Sequence, residues 1–174
     1  MKIINTDFKG LKIFKKETFK DGRGYNRELF HNRLVKKKFP FEILTFSKKN
    51  VLRGLHFQIK KPQGKFVTVL KGKIFDVAVD CRLNSKTFGK YFSMILSEKE
   101  NISIFIPEGF AHGYCVLSNN CLIHYKMTNY RYTNLERGIK WYDDQISIKW
   151  PIKKPIVSKR DNNNISFKEY FKLR

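Results

Sequence analysis

Eight short apolar, β-prone runs follow one another between Ile43 and Thr128. They are ILTFS, VLRGLHF, KFVTVLKG, KIFDVAVDC, KYFSMILS, ISIFIP, GYCVLS and CLIHYKMT. Turn signals (PQG, KG, LNSKTFG, SEKEN, SNN) separate them. A parallel strand pair needs a crossover of about a dozen residues or more, usually a helix, and these spacers leave no room for one. The pattern therefore predicts an all-β barrel or sandwich. FDVAVD alternates, placing Phe75, Val77 and Val79 on one face and Asp76, Ala78 and Asp80 on the other.

The flanks are less regular. KIINT and LKIFKKETF read as two further strands, with Gly10 between them. DGRGYNRELF reads as a turn, and Leu29, Phe30, Leu34 and Val35 fit a short helix within Glu28–Lys38, stopped near Pro40. Phe167, Tyr170 and Phe171 have helical spacing and predict a short helix over residues 165–174, packed on the barrel. At 174 residues, with no repeat and no long linker, residues 1–174 read as one domain.

No apolar run has the length of a membrane span and no signal peptide is visible, so a cytoplasmic protein is the default expectation. The three cysteines (Cys81, Cys115 and Cys121) have no C-x-x-C spacing and read as free buried thiols. The formal charge of +21 requires that nucleic-acid binding be considered. The lysines are spread over most loops, however, and no nucleic-acid-binding motif accompanies them. The composition favours a lysine-rich surface around an anionic-ligand site, and makes a nucleic-acid partner the weaker reading.

One stretch, Asn50–Arg82, places Arg53, His56 and Lys65 on or between apolar segments. Lysine and arginine are expensive to bury without an anionic partner. The four histidines do not make a metal site: His56 is followed by Phe57 and Gln58 rather than by a second ligand, and IPEGFAHG supplies only His112. No metal and no cofactor are expected. Asp161, in VSKRD, could fix a histidine tautomer for general-base work, although spacing does not show which histidine it reaches. Tyr125 and Tyr130 are candidate proton carriers, and core packing stays open as the alternative for each.

Taken together, DGRGYNRE, VLRGLHFQ, PQGK, FDVAVDCR, the TFG turn, IPEGFAHG, HYKMTNY, LERGIKW and SKRD resemble the dTDP-4-dehydrorhamnose 3,5-epimerase family in motif and order. The resemblance implies a cupin-type jelly-roll barrel, metal-independent catalysis, and a homodimer that exchanges N-terminal strands. It implies a nucleotide-diphospho-4-keto-sugar substrate, inverted at C3, C5 or both on the way to a surface polysaccharide such as capsule or lipopolysaccharide. His56 resembles the base, Asp161 its partner, Lys65 the enolate stabiliser and Tyr125 the acid. Arg23, Glu28, Arg53, His112, Tyr130, Glu136 and Arg160 fall among the substrate-contacting positions, with Arg160 where the family usually has lysine.

Two strings depart from the family pattern: EILTFSKKN is shorter than its counterpart, and Tyr25-Asn26-Arg27 replaces an aromatic run. These departures predict a variant sugar nucleotide, such as a GDP-linked 4-keto heptose. A C3-only epimerase, a 3,4-ketoisomerase and a basic binding module are the rival expectations.

Overall fold

The computed structural model describes residues 1–172. The strands are β1 (Lys2–Asn5), β2 (Lys12–Lys15), β3 (Thr18–Asp21), β4 (Gly24–Arg27), β5 (Phe41–Lys48), β6 (Val51–Gln58), β7 (Lys65–Lys71), β8 (Lys73–Asp80), β9 (Tyr91–Ser97), β10 (Ile102–Ile106), β11 (Phe110–Val116), β12 (Asn120–Met127), β13 (Glu136–Gly138) and β14 (Ile156–Val157). The α-helices are single turns, α1 (Asn32–Val35), α2 (Lys159–Asn162) and α3 (Phe167–Phe171), and Thr133–Leu135 forms a 3-10 turn. All eight runs expected between Ile43 and Thr128 form strands, β5 to β12. The helix expected over Glu28–Lys38 shrinks to one turn, because Lys36 adopts a left-handed conformation that ends it. The C-terminal helix is confined to Phe167–Phe171, and the last two residues of the expected 165–174 span lie outside the described residues. No described helix is long and apolar enough to cross a membrane.

Two sheets face each other, as in a cupin jelly roll. One has the order β1-β2-β10-β7-β12-β5, and the other β13-β6-β11-β8-β9 with β14 alongside β6. The β3–β4 hairpin belongs to neither. Alternating side chains divide the apolar residues into three layers. Between the sheets lie Val67, Val69, Ala78, Ile104, Ile106, Tyr114, Ile123 and Tyr125. Outside the second sheet, Leu55, Val77, Val79 and Ala111 are covered by Ile146, Trp150 and Phe167 from the long C-terminal segment. Outside the first sheet, Phe14, Phe66 and Phe105 are covered by Phe30, Leu34, Val35 and Phe39. FDVAVD therefore turns its valines outward, under the C-terminal segment, and its Asp76–Ala78–Asp80 face into the barrel.

One close approach sets the geometry of the interior. β6 and β11 pair with a register shift, and His56 stands opposite His112. A Cβ at Gly54 would lie 2.6 Å from Gly113 Cα, so glycine is required where these strands converge.

Candidate active site

A cavity of about 670 Å³ opens between the sheets. Its lining includes Arg53, His56, Lys65, His112, Tyr125, Glu136, Arg160 and Asp161. Eight of the expected site residues, from six separate elements of the chain, thus meet in one chamber.

His56 is carried by β6, which is held by β11 on one side and β13 on the other. Its Nε2 lies 2.6 Å from Asp161 Oδ1. A carboxylate oxygen only accepts, so Nε2 carries the proton and Nδ1 is left as the basic nitrogen. Asp161 lies in α2, whose start is capped by Ser158 Oγ accepting from Asp161 N. Its Oδ2 accepts from the Gly54 amide at 3.1 Å, which anchors it to the strand that carries His56. Burial alone would raise the Asp161 pKa, but the His56 hydrogen bond and the Gly54 amide bring it below the ordinary carboxylate value.

Lys65 begins β7 and is buried, with Nζ donating to the His56 carbonyl at 3.0 Å. Burial lowers its pKa to about 8, against the opposing pull of Asp76 and Glu136. It is a dehydrated ammonium with further N–H donors to offer. Tyr125, on β12 in the facing sheet, is buried as well. Burial chiefly, then the neighbouring Tyr114 and Asp76, push its pKa well above 10, so it is a neutral phenol that can give up a proton. Its ring meets His112 edge-on at 6.0 Å.

At the mouth, Glu136 binds Arg131 through contacts of 2.6 and 3.2 Å and Arg160 at 2.8 Å. Burial would raise the Glu136 pKa, but the two guanidinium groups outweigh it and lower the value to about 2. Arg53 Nε donates to Ser47 Oγ, which also contacts Tyr114 Oη.

Three expected residues are not brought to this cavity. Arg23 is at the tip of the exposed β3–β4 hairpin, paired with Asp21 at 2.6 Å, and Glu28 is exposed just beyond it. Tyr130 is 54% exposed, with its ring 6.4 Å from that of Phe41, and is not part of the lining.

The sequence reading missed Asp76, Tyr114 and Arg131. Asp76 Oδ2 lies 2.8 Å from His112 Nε2, and both residues are buried. Its signal was present, since the FDVAVD alternation sets Asp76 on the face opposite the valines. Arg131 had no comparable signal: it lies in a loop outside any periodic segment. Among the described residues, no three His, Cys, Asp or Glu side chains converge as a metal site.

A family profile described as dTDP-4-dehydrorhamnose 3,5-epimerase matches residues 5–169. The enzyme of that name from Shigella flexneri is 42% identical over 174 residues, covering 96% of each chain. The one from Methanothermobacter thermautotrophicus is 41% identical over 170 residues, covering 93% of this chain and 92% of its own. Among solved structures, the dTDP-6-deoxy-D-glucose-3,5-epimerase of Legionella pneumophila in complex with dTDP-4-keto-L-rhamnose has a TM-score of 0.91. It shares 40% identity, over 95% of this chain and 92% of the other.

Proposed function

This chain belongs to the dTDP-4-dehydrorhamnose 3,5-epimerase family, an isomerase family acting on sugar nucleotides, and from that premise we propose that it epimerises a nucleotide-diphospho-4-keto-6-deoxyhexose at C3 and C5. One observation carries this reading: a carboxylate-oriented imidazole and a neutral phenol line the same cavity from opposite sheets, together with a buried ammonium. Inversion at carbon requires removal of a proton from one face and its return to the other, and a base alone cannot supply both.

The 4-keto group acidifies the C–H bonds at C3 and C5. His56 Nδ1 takes one such proton, and the C–H electron pair becomes the enolate C=C bond as the carbonyl π pair moves onto oxygen. Lys65 stabilises that oxyanion; a preorganised donor of this kind is typically worth about 3–4 kcal/mol. The Tyr125 hydroxyl delivers a proton to the opposite face of the carbon, where the C=C pair forms the new C–H bond while an oxygen lone pair restores the carbonyl. Arg53, Arg131 and Arg160 suit the diphosphate, for which guanidinium offers paired donors. His112 and Glu136 help to place the sugar.

Support for a homodimer comes from the surface. β5 is an edge strand that exposes Leu44 and Phe46, and the β3–β4 hairpin, with Phe19 and Tyr25 exposed, stands apart from both sheets. Unpaired edges and exposed apolar side chains invite strand addition. Exchange of this N-terminal region would carry Arg23 and Glu28 to the cavity of the second copy. Three free thiols fit the reducing cytoplasm.

A second substrate reading, a GDP-linked 4-keto heptose, is favoured by the shortened EILTFSKKN segment and the Tyr25-Asn26-Arg27 string. The names of the relatives favour the dTDP-linked sugar, which we rank first. A role in surface polysaccharide biosynthesis is compatible with either. The deciding experiment is NMR of dTDP- and GDP-linked 4-keto sugars in deuterated water. Label at C3 and C5 of the dTDP sugar supports the proposal, label at C3 alone or a migrated ketone supports the rivals, and no exchange with any sugar sinks the epimerase reading.

A further inference from the structure

Asp76 is a deeply buried charged group that faces the barrel interior and that the mechanism leaves unused. Its residue exposure is 1%, and it contacts His112, which lines the cavity together with Lys65 and Tyr125. Oδ2 contacts His112 Nε2 at 2.8 Å, while Oδ1 has no hydrogen-bond partner among the described residues. Buried polar atoms are rarely left in that condition, and an unpaired buried carboxylate is costly unless nearby positive charge answers it.

We propose that Asp76 is a positioning residue of the epimerase reaction, holding His112 as the Nε2–H tautomer and supplying the buried negative charge that keeps the Lys65 ammonium protonated inside the barrel. His112 then presents Nδ1 as a hydrogen-bond acceptor, so it receives a sugar hydroxyl and does not act as a cation toward phosphate. Burial lowers the His112 pKa, and the resulting neutral ring fits that role. Lys65 shares the cavity with Glu136 from β13, His56 from β6, His112 from β11 and Tyr125 from β12, and Asp76 on β8 of the facing sheet, bound to His112, adds its charge to theirs. Of these, only Asp76 and Glu136 bring negative charge, and Glu136 is already bound by two arginines.

The kinetic arm of the test rests on the epimerase reading; the spectroscopic arm does not. In wild-type protein with 15N-labelled histidine, His112 is expected to show a neutral Nε2–H imidazole at neutral pH. An Nδ1–H tautomer or an imidazolium at His112 overturns the proposal, whether or not any variant folds. In Asp76→Asn the amide oxygen still accepts from Nε2–H, but the charge is gone. The alkaline limb of kcat is expected to move toward neutrality by about one unit, a tenfold change in the Lys65 proton affinity. KM should stay within about threefold, because the phosphate-binding arginines are untouched. Asp76→Glu, which keeps the charge, should return the limb toward its wild-type position. A folded Asp76→Asn enzyme with the limb unmoved also overturns the proposal. If no 4-keto sugar exchanges even with wild type, the epimerase reading fails and the tautomer measurement still decides the role of Asp76.

Discussion

Asp161 Oδ1 lies 2.6 Å from His56 Nε2 across 105 residues of chain, and the other oxygen of the same carboxylate accepts from the amide of Gly54, two residues before the histidine. The carboxylate therefore fixes both the ring and the strand that carries it. Asp161→Asn cannot satisfy both donors, because one of its two polar atoms is itself a donor. The substitution is expected to lower the rate of deuterium exchange by about 10²–10⁴-fold and stability by about 1–3 kcal/mol. Exchange kinetics and chemical denaturation measure the two, and near-wild-type exchange in a folded variant would refute the dyad.

Tyr125→Phe separates the two proton carriers. In the proposed mechanism the base, His56, remains intact, so a proton can still leave and return on one face. Solvent deuterium should enter the sugar while net inversion falls by at least about a hundredfold. NMR of the recovered sugar distinguishes exchange from inversion. Loss of both together would assign Tyr125 to binding or packing.

The guanidinium groups at the mouth predict a binding phenotype. Arg131→Ala and Arg160→Ala should each weaken binding of a nucleoside diphosphate by about tenfold or more, since a charge-assisted hydrogen bond contributes roughly 1.5–3 kcal/mol. The loss should shrink at high salt. Calorimetry with dTDP and GDP would show it, and affinities insensitive to both substitutions would place the phosphates elsewhere.

Glu136 titrates at about 2 in the folded chain, against an ordinary 4.5. A depressed carboxylate contributes stability that is present above the unfolded value and is lost as pH falls from 4.5 toward 2. Glu136→Gln should therefore flatten the acid side of the stability profile. An unchanged slope between those limits would contradict the ion-pair geometry.

Lys16 is buried against Ser103 Oγ at 2.7 Å, with no carboxylate of the described residues in hydrogen-bonding contact. Burial first, then Arg27, lower its pKa to about 8 from 10.5, with Glu28 opposing. Between those values the unfolded chain binds more protons than the folded one, so this group makes stability rise with pH. Lys16→Met should remove that rise and stabilise the protein near neutrality by about 1–2 kcal/mol. Ser103 keeps its contact with Thr68 at 2.5 Å, so no hydroxyl is orphaned. Thermal melts across the alkaline range check both statements, and a destabilised variant would show that the ammonium is needed for folding.

The sequence by itself determined strands β5 to β12 and named eight of the residues that line the cavity. β5 to β12 are legible because alternation and turn residues are local properties, and His56, Lys65, Tyr125 and Asp161 stand in recognisable strings. Spacing could not say that Asp161 reaches His56, because contact across 105 residues depends on how β14 lies along β6 and on where Ser158 starts α2. The sequence also marked Asp76 as lying opposite the valines of its strand, but not which face was interior. Only the cover laid by Ile146, Trp150 and Phe167 over Val77 and Val79 turned the carboxylate toward the cavity. Arg131 gained its place from Glu136, and Arg23, Glu28 and Tyr130 were left outside the chamber of their own chain, on exposed segments whose position local pattern does not encode. Local periodicity fixes which residues share a face; the packing of two sheets and a long C-terminal segment decides which face becomes the site.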